Sequence, residues 1–217
     1  MPAPPSRRGL PGIWLTRGGV EPVTRWAARG VLPLHVIPLS GWTAILPAGK
    51  SLAAAPYDEC LPVLAARPMP HRLRPALGFF VIEGRAVVSV RPGGLRSAAR
   101  FVVWESGSGL LRSPGLPVAT PVDLVRSAGA AAGRGGRGRP VAELRDLLRA
   151  PGGAPQELLR RAMGVLDLPG RGLLLGRDRV GESDGAVLVR PDRRNVRRFD
   201  QTAHEEHTLR TELGLDR

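Results

Sequence analysis

The sequence has few residues that could cross-link the chain, either covalently or through a metal. Cys60 is its one cysteine, which excludes an internal disulfide bond and a metal cluster built from several cysteines of one chain. The phosphate-binding pattern G-x-x-x-x-G-K-[ST] is also missing, and Lys50, the one lysine, stands in no such context. From these patterns we assign no cofactor and no metal.

Long apolar runs are missing as well. No stretch approaches the 18 or more uninterrupted apolar residues of a membrane-spanning helix, so we expect no membrane association. At the amino terminus, Arg7 and Arg8 are not followed by the apolar segment of a secretory signal. The expected location is the cytoplasm.

Lysine is nearly absent although the chain is strongly basic. The formal net charge is +13 and the pI is about 11.6, values typical of nucleic-acid-binding proteins. Of the 32 basic residues, however, only Lys50 is a lysine, and arginine, alanine, glycine and proline all have GC-rich codons. The positive charge is also spread along the chain. Both interpretations, a binding function and the composition of a GC-rich, bacterial-type genome, stay open.

The clearest structural signal is a pair of apolar runs at 76–82 and 86–90, separated by Glu83 and Gly84. Two such runs around a glycine predict a β-hairpin, because glycine adopts a positive φ without steric cost. The run at 101–104 predicts a third strand.

Further elements follow from shorter patterns. We predict an edge strand at 13–15 and a second hairpin at a sheet edge, where prolines cost few ladder hydrogen bonds. Thr120, Pro121 and Asp123 predict a helix that starts with a cap and ends at Gly129. The remaining predictions are the second hairpin's strands at 34–39 and 42–46, a helix from about 61, helices beginning at Pro140 and Pro155, strands at 173–175 and 186–189, and a terminal helix opening with a capping box at Thr202.

These elements predict an α+β fold, a mostly antiparallel sheet with short helices plus a small helix-rich C-terminal unit. Two of the strands, 77–82 and 101–104, are apolar on both sides, so either helices or a partner protein covers both faces of the sheet. The predicted organisation is a disordered lead-in at 1–11, the sheet domain at 12–129, a Gly/Arg linker at 130–139, a small helical unit with a hairpin at 140–200, and the terminal helix at 201–217.

The most specific charged feature comprises Arg193, Arg194, Arg197 and Arg198, which we call the arginine stripe. In a helix these four residues occupy an arc of about 140°, with Val196 and Phe199 on the opposite side. Such a face suits phosphate groups or an acidic partner. The alternative is a solvated face whose arginines pair with nearby carboxylates such as Asp192 and Asp200.

Two weaker features also bear on binding. The stretch 133–139 resembles a short arginine-glycine tract, which binds nucleic acid in some proteins, but a single copy without aromatic residues is more typical of a flexible linker. Trp26, between Arg25 and Arg29, is the tryptophan best placed to serve also as a ligand surface, although packing is the usual role of tryptophan.

Two patterns resemble catalytic or metal motifs. The stretch 181–185 matches G-x-S-x-G around Ser183, with Asp192 and then His204 or His207 following, but it precedes a predicted strand where a nucleophile elbow needs a helix. His204 and His207 lie one helical turn apart without an evident third metal ligand. We assign no catalytic residue and no metal ligand.

Three functional hypotheses remain. The first is a non-enzymatic protein-interaction or accessory module that binds another protein or itself, motivated by the doubly apolar sheet. The second is a nucleic-acid-binding accessory protein that uses the arginine stripe. The third is a serine hydrolase that uses Ser183, which has the least support.

Overall fold

An antiparallel sheet of eight strands runs through the centre of the structure, a computed structural model that describes residues 11–94, 97–112, 114–130, 138–178, 180 and 183–212. The strands are β1 (Gly12–Thr16), β2 (Leu34–Leu39), β3 (Trp42–Pro47), β4 (Ala76–Ile82), β5 (Arg85–Arg91), β6 (Arg100–Glu105), β7 (Gly109–Leu111) and β8 (Val187–Val189). The helices are α1 (Val20–Ala28), α2 (Cys60–Ala66), α3 (Pro121–Ala128), α4 (Arg139–Arg149), α5 (Pro155–Val165), α6 (Arg171–Leu174) and α7 (Arg193–Glu212). This architecture confirms the α+β prediction.

The central hairpin is confirmed. β4 and β5 pair antiparallel with Phe79 opposite Val88, and β6 continues the meander beside β5. Glu83 and Gly84 form the turn with φ values of 49° and 75°. Two consecutive positive φ angles are the geometry of the tight hairpin turn whose twist matches that of the flanking strands.

The position of β1 corrects the sequence-based prediction. We expected an edge strand at 13–15, but β1 lies between β4 and β3 in the order β7-β6-β5-β4-β1-β3-β2-β8. Trp14 is paired with Gly78 on one side and with Ile45 on the other. The second hairpin, β2 and β3, is also not at the edge, because β8 pairs with β2. That pairing covers only 34–36, so the part of β2 that contains Pro38 has a single neighbour.

Helices cover both faces of the sheet. One face packs against α3, α4, α5 and α6 through a hydrophobic cluster that includes Leu15 and Phe79. The other face packs against α1, α2 and the start of α7 through a second cluster that includes Trp14 and Phe80. Because successive strand residues point to opposite faces, the apolar run at 77–82 supplies both clusters. The run at 101–104 supplies the first cluster with Val102 and Trp104, whereas Phe101 and Val103 on its other side are half-buried. Coverage of part of a face by a partner protein stays a prediction.

The helix ends show how local sequence determines the elements. α3 begins with a capping box, in which the Thr120 hydroxyl accepts from the Asp123 amide and the Asp123 carboxylate accepts from the Thr120 amide, and Gly129 ends it at φ 81°. Prolines open α4 and α5 as predicted. The prediction of a strand at 173–175 is wrong, because α6 occupies 171–174 and buries Leu173 and Leu174.

Much of the predicted linker, 131–137, lies outside the described residues, as do 1–10 of the lead-in and 213–217 of the terminal helix. Elements from both sides of that linker, including Leu124 of α3 and Val141 of α4, contribute to one hydrophobic cluster. The division into two units stays a prediction. Within the described ranges, no helix is both long enough and apolar enough to cross a membrane.

Candidate anion-binding surface on the terminal helix

α7 begins where the chain returns to the end of α1. The Asp192 amide donates to the Ala28 carbonyl over 3.2 Å, and the Asn195 side-chain amide donates to the same carbonyl over 3.3 Å. The Asp192 carboxylate accepts from the amide of Arg194 over 2.8 Å, which satisfies one of the unpaired donors at the helix start. The helix therefore starts about nine residues earlier than the capping box at Thr202 predicted.

Two further contacts hold the middle of α7 against the loop before α2. The Phe199 ring meets the Tyr57 ring edge to face, with centroids 5.1 Å apart, and the Asp200 carboxylate accepts from the Ala54 amide over 2.9 Å. Val196, one turn earlier, is buried in the second cluster. These contacts fix which side of α7 faces the protein.

The arginine stripe lies on the other side. Arg193, Arg194, Arg197 and Arg198 are all exposed, whereas Val196 is buried and Phe199 is half-buried, in agreement with the 100° periodicity. A continuous helix over 193–199 thus presents four guanidinium groups on one arc.

No carboxylate neutralises this arc in the described part of the chain. The ion pairs found there involve other arginines, and none of them includes a member of the stripe. Asp192 and Asp200, the partners expected if the stripe were a paired solvated face, instead accept hydrogen bonds from backbone amides. The stripe therefore presents its positive charge to solvent.

The following part of α7 carries the histidines. His204 and His207 line a cavity of about 390 Å³ between the helix and the loop around Tyr57, together with Glu206 and Arg210. Among the described residues, no group of three histidine, cysteine or acidic side chains is arranged to hold a metal ion.

Trp26 has a different neighbour from those its sequence position suggested. Its indole nitrogen donates to the Pro68 carbonyl over 3.0 Å, and the guanidinium of Arg67 lies 3.7 Å above its ring. Arg25 pairs instead with Glu21 over 3.1 Å. The contact with Arg67 joins residues far apart in the chain, so no local pattern could have indicated it.

Ser183 lies in a turn before β8. Its amide donates to the Val180 carbonyl, and its carbonyl accepts from the Ala186 amide. The element that follows is a strand, as expected, whereas a nucleophile elbow is followed by a helix. Residues 181 and 182 of the pattern lie outside the described part.

Comparisons with known proteins add no family or fold relative: no family model matches the chain, and neither a curated protein nor a solved structure matches it.

Proposed function

We propose that this protein is an accessory factor that binds nucleic acid through the arginine stripe of α7. The observation that carries this proposal is the exposure of four guanidinium groups on one helical arc with no ion pair in the described residues. The contacts of Val196 and Phe199 on the opposite side of the helix keep this face turned away from the protein.

The physical basis is the charge density of nucleic acids. Guanidinium groups form bidentate hydrogen bonds with phosphate oxygens, and each neutralised phosphate releases condensed counterions. Contacts between the stripe and phosphate groups carry no sequence information directly, so binding with little sequence preference is expected.

The hypothesis of a protein-interaction module has less support than this proposal. That hypothesis was motivated by a sheet that is apolar on both faces, and the protein's own helices pack on most of both. We therefore favour nucleic acid as the partner of the stripe. The experiment below includes a result that would instead indicate an acidic protein.

The experiment compares three proteins by fluorescence anisotropy at fixed, near-physiological salt. They are the wild type, a stripe variant with alanine at the four stripe positions, and a control variant with alanine at four arginines that already have carboxylate partners. The control positions are Arg25, Arg85, Arg139 and Arg160. Both variants lose the same net charge, and circular dichroism melts verify that both are folded.

With a labelled mixed-sequence duplex, we expect the stripe variant to bind about 30-fold more weakly, from about 0.5 kcal/mol for each of four exposed contacts. The control variant should lose no more than about threefold. Equal losses in the two variants would show that net charge alone drives binding. Poly-glutamate that binds the wild type as tightly as the duplex would favour an acidic protein partner.

A further inference from the structure

A second cavity, of about 320 Å³, opens between the end of α1, the end of α2 and the middle of α7. Its walls are mostly apolar and include Val31, Val63, Ala66 and Phe199. The two charged residues that line it, Arg29 and Arg67, are both cationic, and no carboxylate is among its lining residues. Small-ligand sites have this character, with an apolar wall and a few polar groups at fixed positions.

Arg67 is held rigidly at this cavity. Its guanidinium stacks on Trp26 at 3.7 Å, and Nη2 donates to the Trp26 carbonyl. The other terminal nitrogen, Nη1, is buried and has no hydrogen-bond partner. Gly30 makes room for it, because a Cβ at that position would overlap the guanidinium.

Arg67 is half-buried with a fully buried Nη1, and a partly desolvated cation with no counterion is costly. Desolvation lowers the pKa of Arg67 to about 10, which still leaves it charged at neutral pH. No carboxylate in the described residues pairs with it. An unpartnered buried nitrogen such as Nη1 requires an explanation in a native structure, and a bound anion is one such explanation.

Arg91, which is fully buried, shows the difference. Arg91 is also mostly desolvated and has an unpartnered Nη1, but it lies among Trp14, Phe101 and the Ala65 carbonyl inside the core. It lines none of the cavities described above. Arg67, in contrast, borders an open apolar cavity whose only charges are positive.

We propose that this cavity binds a small monocarboxylate with an apolar body, such as an aryl or alkyl carboxylic acid. The apolar body would occupy the space beside Val63, Ala66 and Phe199. The carboxylate would lie in the field of Arg67, with the exposed Arg29 available for direct contact. Because Arg67 is partly desolvated beside an apolar wall, its attraction to a carboxylate is stronger than the same pair would have in water. The proposal is independent of the arginine stripe.

The test uses 4-phenylbutyrate and two analogues of similar shape, the neutral 4-phenylbutyramide and the cationic 4-phenylbutylamine, measured by ligand-observed NMR titration against the full chain. We expect the wild type to bind the carboxylate at least about tenfold more tightly than the amide, and the amine more weakly still. Equal affinities for the acid and the amide, or no binding of the acid at millimolar concentration, would overturn the proposal.

Variants locate the binding. Ala66→Phe should fill the cavity and weaken the binding of acid and amide alike by at least about tenfold, while Arg67→Met should remove the preference for the acid. If Arg67→Met does not fold, Arg29→Ala provides the charge test, with the preference for the acid reduced about threefold. Arg25→Ala, one turn earlier in α1, is its control. Acid binding that is unchanged by Ala66→Phe would place the ligand elsewhere and contradict the proposal.

Discussion

Substitution of Gly78 by alanine should destabilise the protein through one crowded contact in the middle of the sheet. Gly78 is in β4 opposite Trp14, and an added Cβ would overlap Cε2 of Phe80 and lie 3.0 Å from Cδ2 of Trp14. Both rings are fully buried and pack edge to face at 5.7 Å, and the Trp14 indole nitrogen is tied to the Leu64 carbonyl over 2.9 Å. Neither ring can move without losing one of these contacts.

The expected magnitude combines two opposing effects. Overpacking a core costs about 1–3 kcal/mol, whereas replacing glycine by alanine reduces the entropy of the unfolded chain and returns about 0.4–1 kcal/mol. The midpoints of these two ranges leave a net loss of about 1.3 kcal/mol, or roughly 3–5 °C in the melting temperature of a chain of this length.

Thermal unfolding followed by circular dichroism measures this loss. Gly152→Ala is the matched control, because a Cβ there meets nothing within 4 Å. The control should melt within about 1–2 °C of the wild type. A Gly78→Ala variant that melts at or above the wild-type temperature would refute the assigned packing of Trp14 and Phe80.

Three further predictions concern single sites. Thr120→Ala removes the capping box of α3 and should lower stability by about 1 kcal/mol in urea unfolding, while Thr120→Ser should retain most of it; equal losses would contradict the cap. Burial raises the pKa of the Cys60 thiol, so less thiolate is present at pH 8, and a disulfide reagent should react at least about tenfold more slowly with the folded chain than in guanidinium chloride; equal rates would contradict its burial. The hydrogen bond from Arg85, then the hydrogen bond from Ser108 and the charge of Arg85, hold the pKa of Glu105 below its usual range. The pair of Glu105 and Arg85 therefore stabilises the fold fully at pH values above the ordinary carboxyl pKa. This stabilisation is lost as the pH falls through the lowered pKa of Glu105. Arg85→Ala should move the Glu105 carboxyl titration, followed by NMR, to higher pH, and an unmoved midpoint would rule out the pair.

Features that depend on neighbouring residues were predictable from the sequence. The turn at Glu83 and Gly84 and the cap at Thr120 are local, because each is determined by residues within one turn of the chain. The short apolar run at 173–175 shows the limit of this reasoning, since such a run fits a buried helical turn as well as a strand.

Features that depend on distant residues were not predictable. β1 is interior because β3 and β4 pair with its two sides, and neither pairing leaves a trace in the residues of β1 itself. The arginine stripe could be located because helical periodicity alone places its four residues on one arc. The contact between Arg67 and Trp26 could not, because the chain must fold before the two side chains meet.

The salt dependence of duplex binding tests the central claim most directly. The logarithm of the observed binding constant falls with the logarithm of salt concentration by about 0.9 for each phosphate neutralised on duplex DNA. If the four arginines of the stripe each contact a phosphate, the slope of the wild type should be steeper than that of the stripe variant by roughly 3.6. The control variant should keep the wild-type slope. Coinciding slopes for the wild type and the stripe variant would contradict nucleic-acid binding through α7.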